Sequence, residues 1–140
     1  MACLDTCFLL DLMGSGGRRR QTHAAKKLQT LVATGRSVST TRLCVAELSV
    51  GVYRSKDPQA ESLKLAELLE DVAILELDET AGLIFGRITA HLQERGCPAG
   101  DMDVLIASVA LANNQALITD NASHFRNILG LHVESYLPTA

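Results

Sequence analysis

The sequence predicts an α/β fold on a mainly parallel sheet, and three observations carry that prediction. Short apolar or β-branched runs alternate with longer amphipathic stretches. Most of those stretches are long enough for a crossover helix, which parallel strands require. The chain, 140 residues and 47% hydrophobic, can bury one core without disulfide or metal staples, so a single domain over 1–140 is expected.

In chain order, "ACLD" (2–5) reads as the first strand, and the turn-rich "GSGGRRR" leads into a helix over 22–34. "RSVSTT" (36–41) is the second strand, followed by the amphipathic "TRLCVAELSVGVYRS" (41–55) and "DPQAESLKLAELLED" (57–71). Pro58 suits a first helical position, where its missing N–H costs nothing. "VAILEL" (72–77) is the third strand. A helix over 79–95 stops at "RGCPAGD", and one over 102–114 stops at Asn113 and Asn114. "ALIT" (116–119) is the fourth strand and "LHVES" (131–135) an edge-strand candidate. Right-handed crossovers between such strands cover both faces of the sheet. No repeat, linker or low-complexity tract interrupts the pattern.

Composition excludes little by itself. The net charge of −3, from 13 basic and 16 acidic side chains, provides no global positive field for nucleic acid. The concentrated basic patch is Arg18, Arg19 and Arg20 with Lys26 and Lys27. It suits phosphate contacts that release counterions, and reads equally as a solvated loop. With no Trp, two Tyr and three Phe, there is little material for base stacking. Cys3, Cys7, Cys44 and Cys97 lack C-x-x-C spacing and are expected as reduced packing thiols. His23, His91, His124 and His132 show no ligand spacing and are expected to be structural. Asp5 and Asp11 break the initial apolar run, so no signal peptide is expected. No stretch approaches the ~20 apolar residues of a membrane span, and a soluble cytoplasmic protein follows as the simplest expectation.

The acids carry the chemistry. Asp5 closes the first strand and Asp120 the fourth, at the carboxyl edge of the sheet where ligands of α/β folds gather. Asp5 alternatively caps the helix that starts at Thr6. Glu47 shares a helix face with Leu43, Val50 and Gly51, so it is expected along an apolar stripe; the alternative is an ion pair with Arg42, Arg54 or Arg87. Asp103 aligns with Ile106, Ala107 and Ala110 on an inner face, and Asp101 stands where an N-cap would. Acids gathered at one edge repel one another and raise each other's pKa unless a cation neutralises them. Oxygen-only ligation favours a hard ion, Mg²⁺ or Mn²⁺. Such an ion suits phosphodiester cleavage by water.

"LDTCFLLDL", "VAELSVGV", "DMDVLIASVAL" and "LITDNASHF" together resemble the PIN domain, most closely the VapC-type toxins of bacterial and archaeal toxin/antitoxin pairs, in the right order over nearly the whole chain. The resemblance implies a three-layer α/β/α sandwich with four to five short strands. It implies Asp5, Glu47 and Asp103 as catalytic acids, with Asp5 and Asp103 on the metal and Glu47 and Asp120 as further candidates. Thr6 looks like the hydroxyl that helps hold metal-bound waters. Asn121 occupies the register of a fourth acid, Phe125 fits four residues on, and Asp120 stands one residue early, so Asp120 or Asp101 shares that work. RNA cleavage, dimerisation and inhibition by a small VapB-like antitoxin inserted into the active-site groove are further implications. Two alternatives stay open: a PIN nuclease of RNA maturation without an antitoxin, and a catalytically silent binding module. A haloacid-dehalogenase-like phosphatase would need D-x-D-x-T after the first strand, which "DTCFLL" lacks. A receiver-like phosphoacceptor would need a lysine that "LITDNASHF" lacks.

Overall fold

Strand β1 (Ala2–Leu4) lies at the centre of a five-stranded sheet ordered β3-β2-β1-β4-β5, in a computed structural model that describes residues 1–97 and 99–138. The other strands are β2 (Val38–Thr41), β3 (Ala73–Leu75), β4 (Ala116–Ile118) and β5 (Val133–Glu134), and all four pairings are parallel. The helices are α1 (Thr6–Leu12), α2 (Arg18–Ala33), α3 (Arg42–Arg54), α4 (Pro58–Leu69), α5 (Glu79–Glu94), α6 (Asp101–Ala112) and the single turn α7 (Ala122–Phe125).

Side chains alternate across a strand, so β1 and β4 feed two cores. Ala2, Leu4 and Ile118 pack with Phe8, Leu31, Leu48 and Leu65 on one face. Cys3 and Leu117 pack with Leu92, Val104, Ala107 and Phe125 on the other. The result is the expected three-layer α/β/α sandwich. No helix among the described residues is long and apolar enough to cross a membrane.

β1 stops where Asp5 turns out of the strand to cap α1, whereas Thr41 is both the last residue of β2 and the cap of α3. The two short helices α1 and α7 escape the periodicity because each spans too few turns to show one. Helix α2 starts at Arg18 rather than at residue 22. The chain reverses at Gly17, whose φ of 95° a side chain would strain, and the arginines form the first turn of a helix instead of a loop. Gly16 has a different constraint. A Cβ there would stand 2.4 Å from Asp11 Oδ1 and 3.0 Å from the Arg20 side chain, so the turn can close over that ion pair only without one.

Helix α2 is also tied to the far edge of the sheet. Arg36, just beyond its C-terminus, donates twice to Glu134 at 3.0 and 2.7 Å, and Lys27 donates at 2.9 Å. These bonds, Arg36 first, pull the Glu134 carboxyl down to about 2 against the opposing effect of burial. Its folded pKa lies below the unfolded value of 4.5, so the stabilisation is complete above that pH and is lost as pH falls toward about 2. Glu134→Gln is expected to cost roughly 2 kcal/mol at pH 7. In urea melts against pH, its gap to wild type should close across the acid window; a pH-independent gap would refute the ion-pair account.

Candidate active site

The strand order reverses between β1 and β4, since the chain runs β1-β2-β3 to one side and β4-β5 to the other. A crevice opens at the carboxyl ends of the strands flanking such a switch point. Asp5 follows β1 directly, and Thr119 and Asp120 follow β4.

Asp5 is 7% exposed and does two things at once. Its Oδ1 accepts from the Thr6 N–H at 2.8 Å, which caps α1, and its Oδ2 accepts from the Thr119 hydroxyl at 2.8 Å. The cap alternative therefore coexists with a position in the crevice. The thiols of Cys7 and Cys44 lie 3.7 and 3.9 Å from the same carboxylate. Burial pushes the Asp5 carboxyl above its usual range, the Thr119 and Thr6 bonds oppose that, and the charges of Asp103 and Glu47 add to the rise. The acids of α3 and α6 thus add their charge to the field at Asp5.

Glu47 reaches the site by a different route from the one its spacing suggests. Val50 is 57% exposed, and the buried stripe of α3 is Cys44, Leu48 and Val52. Glu47 flanks that stripe half-buried, and its Oε1 accepts from the Thr6 hydroxyl at 2.7 Å. None of Arg42, Arg54 and Arg87 pairs with it; Arg42 binds Glu76 instead. Asp103 sits in the first turn of α6, above buried Ile106, Ala107 and Ala110, with its Oδ2 3.4 Å from His124 Nδ1. Asp101 is not the cap. Gly100 holds that position, and Asp101 is the exposed first residue of the helix, lining a small cavity with Thr89 and Gln93 instead of the crevice.

The fourth acid is neutralised from within the chain. Arg20 forms an ion pair with Asp120 and also donates to both oxygens of Asp11, each at 3.0 Å. Asp11 is 3% exposed and also accepts from the Tyr136 hydroxyl. The Asn121 side-chain amide donates to His124 Nδ1 at 2.9 Å. Of the basic run, Arg20 and Lys27 are engaged in ion pairs, while Arg18, Arg19 and Lys26 form none among the described residues. His124 is the residue that spacing missed. It lies three residues beyond Asn121 on α7, so the only available signal was its place in "DNASHF" after a strand-ending acid.

All four cysteines are free; Cys3 and Cys44 are buried, Cys7 is half-buried and Cys97 is exposed, so packing accounts for the first two and not for Cys97. Among the described residues no group of three His, Cys, Asp or Glu side chains is arranged to hold a metal ion. Two carboxylates bond to neighbouring donors, Asp5 to Thr6 and Thr119 and Glu47 to Thr6, while Asp103 lies 3.4 Å from His124 Nδ1. Mg²⁺ binds through one or two carboxylates and keeps several waters, so the oxygen-only donor set fits such an ion, with water completing what the side chains do not reach.

The chain is similar to known proteins in sequence and in fold. The PIN domain family model matches residues 2–129. Ribonuclease VapC2 of Rickettsia felis is 30% identical over 106 residues, 76% of this chain and 79% of that protein. Ribonuclease VapC1 of Haemophilus influenzae is 31% identical over 134 residues, 95% of this chain and 96% of that protein. The crystal structure of VapBC2 from Rickettsia felis, bound to a DNA fragment from their promoter, matches with a TM-score of 0.84 and 26% identity, covering 96% of this chain and 97% of that one.

Proposed function

The chain belongs to the PIN domain family, and from that premise we propose that it is a VapC-type endoribonuclease toxin, cleaving RNA phosphodiester bonds with Mg²⁺ or Mn²⁺ and controlled by a VapB-like antitoxin. The observation that carries this reading is the buried carboxylate of Asp5 at the switch point of the sheet, linked through Thr6 to Glu47. Relatives named ribonuclease VapC support the same reaction.

Asp5 and Asp103 would hold the cation, and their mutual repulsion is the energy its binding relieves. When bound, a divalent ion supplies positive charge for the phosphate and acidity for the attacking water. Glu47, steadied by the Thr6 hydroxyl on Oε1, leaves Oε2 to accept the proton of that water. Thr119 fixes the Asp5 carboxylate in plane. Asp120 and Asn121 line the same edge as supporting groups; Arg20 on Asp120 limits the negative charge that RNA must approach. Arg18, Arg19 and Lys26 are left to meet the RNA backbone. Work in the cytoplasm as a homodimer completes the proposal.

The test is cleavage of total RNA by the purified full chain, with EDTA and after return of Mg²⁺ or Mn²⁺. Cleavage should stop with EDTA and return with either ion, and Mn²⁺ should raise the melting temperature in a saturable way. Undiminished cleavage in EDTA would remove the metal from the reading. No cleavage together with no Mn²⁺ stabilisation would leave a silent binding module.

A further inference from the structure

A cavity of about 270 Å³ opens beside Asp103, walled on its other side by Ser123, His124, Arg126 and Asn127. Its apolar floor is Leu92 and Ile128, both buried in the core. The cavity continues past Arg126 into a smaller one lined by His91 and Arg95. Arg87, His91 and Arg95 stand at i, i+4 and i+8, so they form one basic line along α5 and the residue after it.

Resting on the ribonuclease reading above, we infer that this trough between α5 and α7 holds the RNA strand flanking the scissile bond, with one unstacked nucleobase in the cavity beside Asp103 and the adjoining phosphates on Arg126 and Arg95. Single-stranded RNA is read by splaying bases out, stacking them on His or Arg planes and bonding their edges. The wall matches that need. Ser123 and Asn127 offer donors and acceptors together, and among the described residues neither spends them on the protein. The Asn121 amide donates to His124 Nδ1 and sets the ring at the cavity wall, where the half-exposed imidazole offers a stacking face. The buried Phe8, Phe125 and Tyr136 cannot supply one.

Charge favours the same path. The acids of the crevice repel phosphate, and a strand entering it needs cations alongside. Among the described residues Arg87, Arg95 and Arg126 form no ion pair, whereas Arg20 and Lys27 of the α2 basic run are held by Asp11, Asp120 and Glu134. Arg18, Arg19 and Lys26 are also unpaired among the described residues, but the cavity beside Asp103 and the one that adjoins it are lined by Arg126 and Arg95.

Two measurements on the full chain test the inference. In the first, wild type, Asn127→Ala and Arg126→Ala cleave an RNA pool randomised around one site. Wild type should show a base preference at one position flanking the cut, and Asn127→Ala should lower that discrimination about tenfold, the effect of losing one base contact. Arg126→Ala should reduce the slope of log K against log salt by about 0.7 for single-stranded RNA. In the second, AMP, GMP, CMP and UMP are titrated into the EDTA-treated protein, and amide shifts are followed by NMR. Shifts centred on residues 122–128 that differ between nucleotides uphold the pocket. An unchanged preference and salt slope in both variants overturn it. So do shifts at 122–128 that vanish on dilution without responding to nucleotide, since the trough then faces a second copy of the chain. If wild type cleaves no RNA with either metal, the ribonuclease reading fails, and the NMR titration alone decides the pocket.

Discussion

Asp5→Asn and Asp103→Asn are each expected to lower RNA cleavage by at least about a hundredfold, the scale of losing a group that acts in the transition state, while the metal-free protein stays folded. An asparagine side chain keeps the shape of aspartate and is itself a preferred N-cap, so in the Asp5→Asn variant the amide oxygen can still accept from the Thr6 N–H. The substitution removes a charge that burial, Asp103 and Glu47 all disfavour. The folded state binds this proton more tightly than the unfolded state does, so ionising Asp5 lowers stability as pH rises through its folded pKa. At neutral pH the metal-free Asp5→Asn protein should therefore melt no lower than wild type, and its Mn²⁺ stabilisation should be lost. Should the variant unfold, the carboxylate is structural; should it cleave at the wild-type rate, the carboxylate takes no part in the reaction.

Arg20→Met is expected to destabilise the protein by about 3 kcal/mol, the cost of leaving a buried charge without its partner. Asp11 is nearly inaccessible, and without Arg20 it keeps only the Tyr136 hydroxyl. The double variant Arg20→Met/Asp11→Asn should recover most of the loss, because the amide oxygen still accepts from Tyr136 and no charge is stranded. Paired urea melts of the two variants check this. An RNA contact at Arg20 predicts the opposite pattern: little change in stability and a flatter salt dependence of RNA binding. A double variant as unstable as the single would show that the loss comes from packing of the long arginine stem.

The element pattern is legible because each long helix carries its own signal. Pro58 and Asp57 start α4, and Asp78 caps α5, from side chains already adjacent in sequence. The apolar runs 2–5 and 116–119 fall where β1 and β4 stand, since a strand buried on both faces reads as a continuous apolar run. The spacing argument for Glu47 does not hold. Its supposed apolar face is partly solvent, as Val50 shows, and what brings it to the crevice is a hydroxyl 41 residues away on α1. Asp101 reads as a cap because acids at a helix start usually are, but the chain turns one residue earlier, at Gly100.

Local periodicity, capping and the acid at each strand end are properties of neighbouring residues, so the class of fold, the order of its elements and the residue types available for chemistry are legible along the chain. Which acids share a site depends on how the packed sheet brings distant segments together. Asp120 at a strand end and Asp103 in a helix are both candidate ligands along the chain, yet Arg20 closes over Asp120 from α2 while Asp103 faces the crevice beside His124. The same ion pair takes Arg20 out of the basic run, and His124 enters the site from α7. Electrostatic pairing acts over a few ångströms of space regardless of separation in the chain, and a contact spanning 100 residues, as between Arg20 and Asp120, exists only once the sheet has brought its strand ends together.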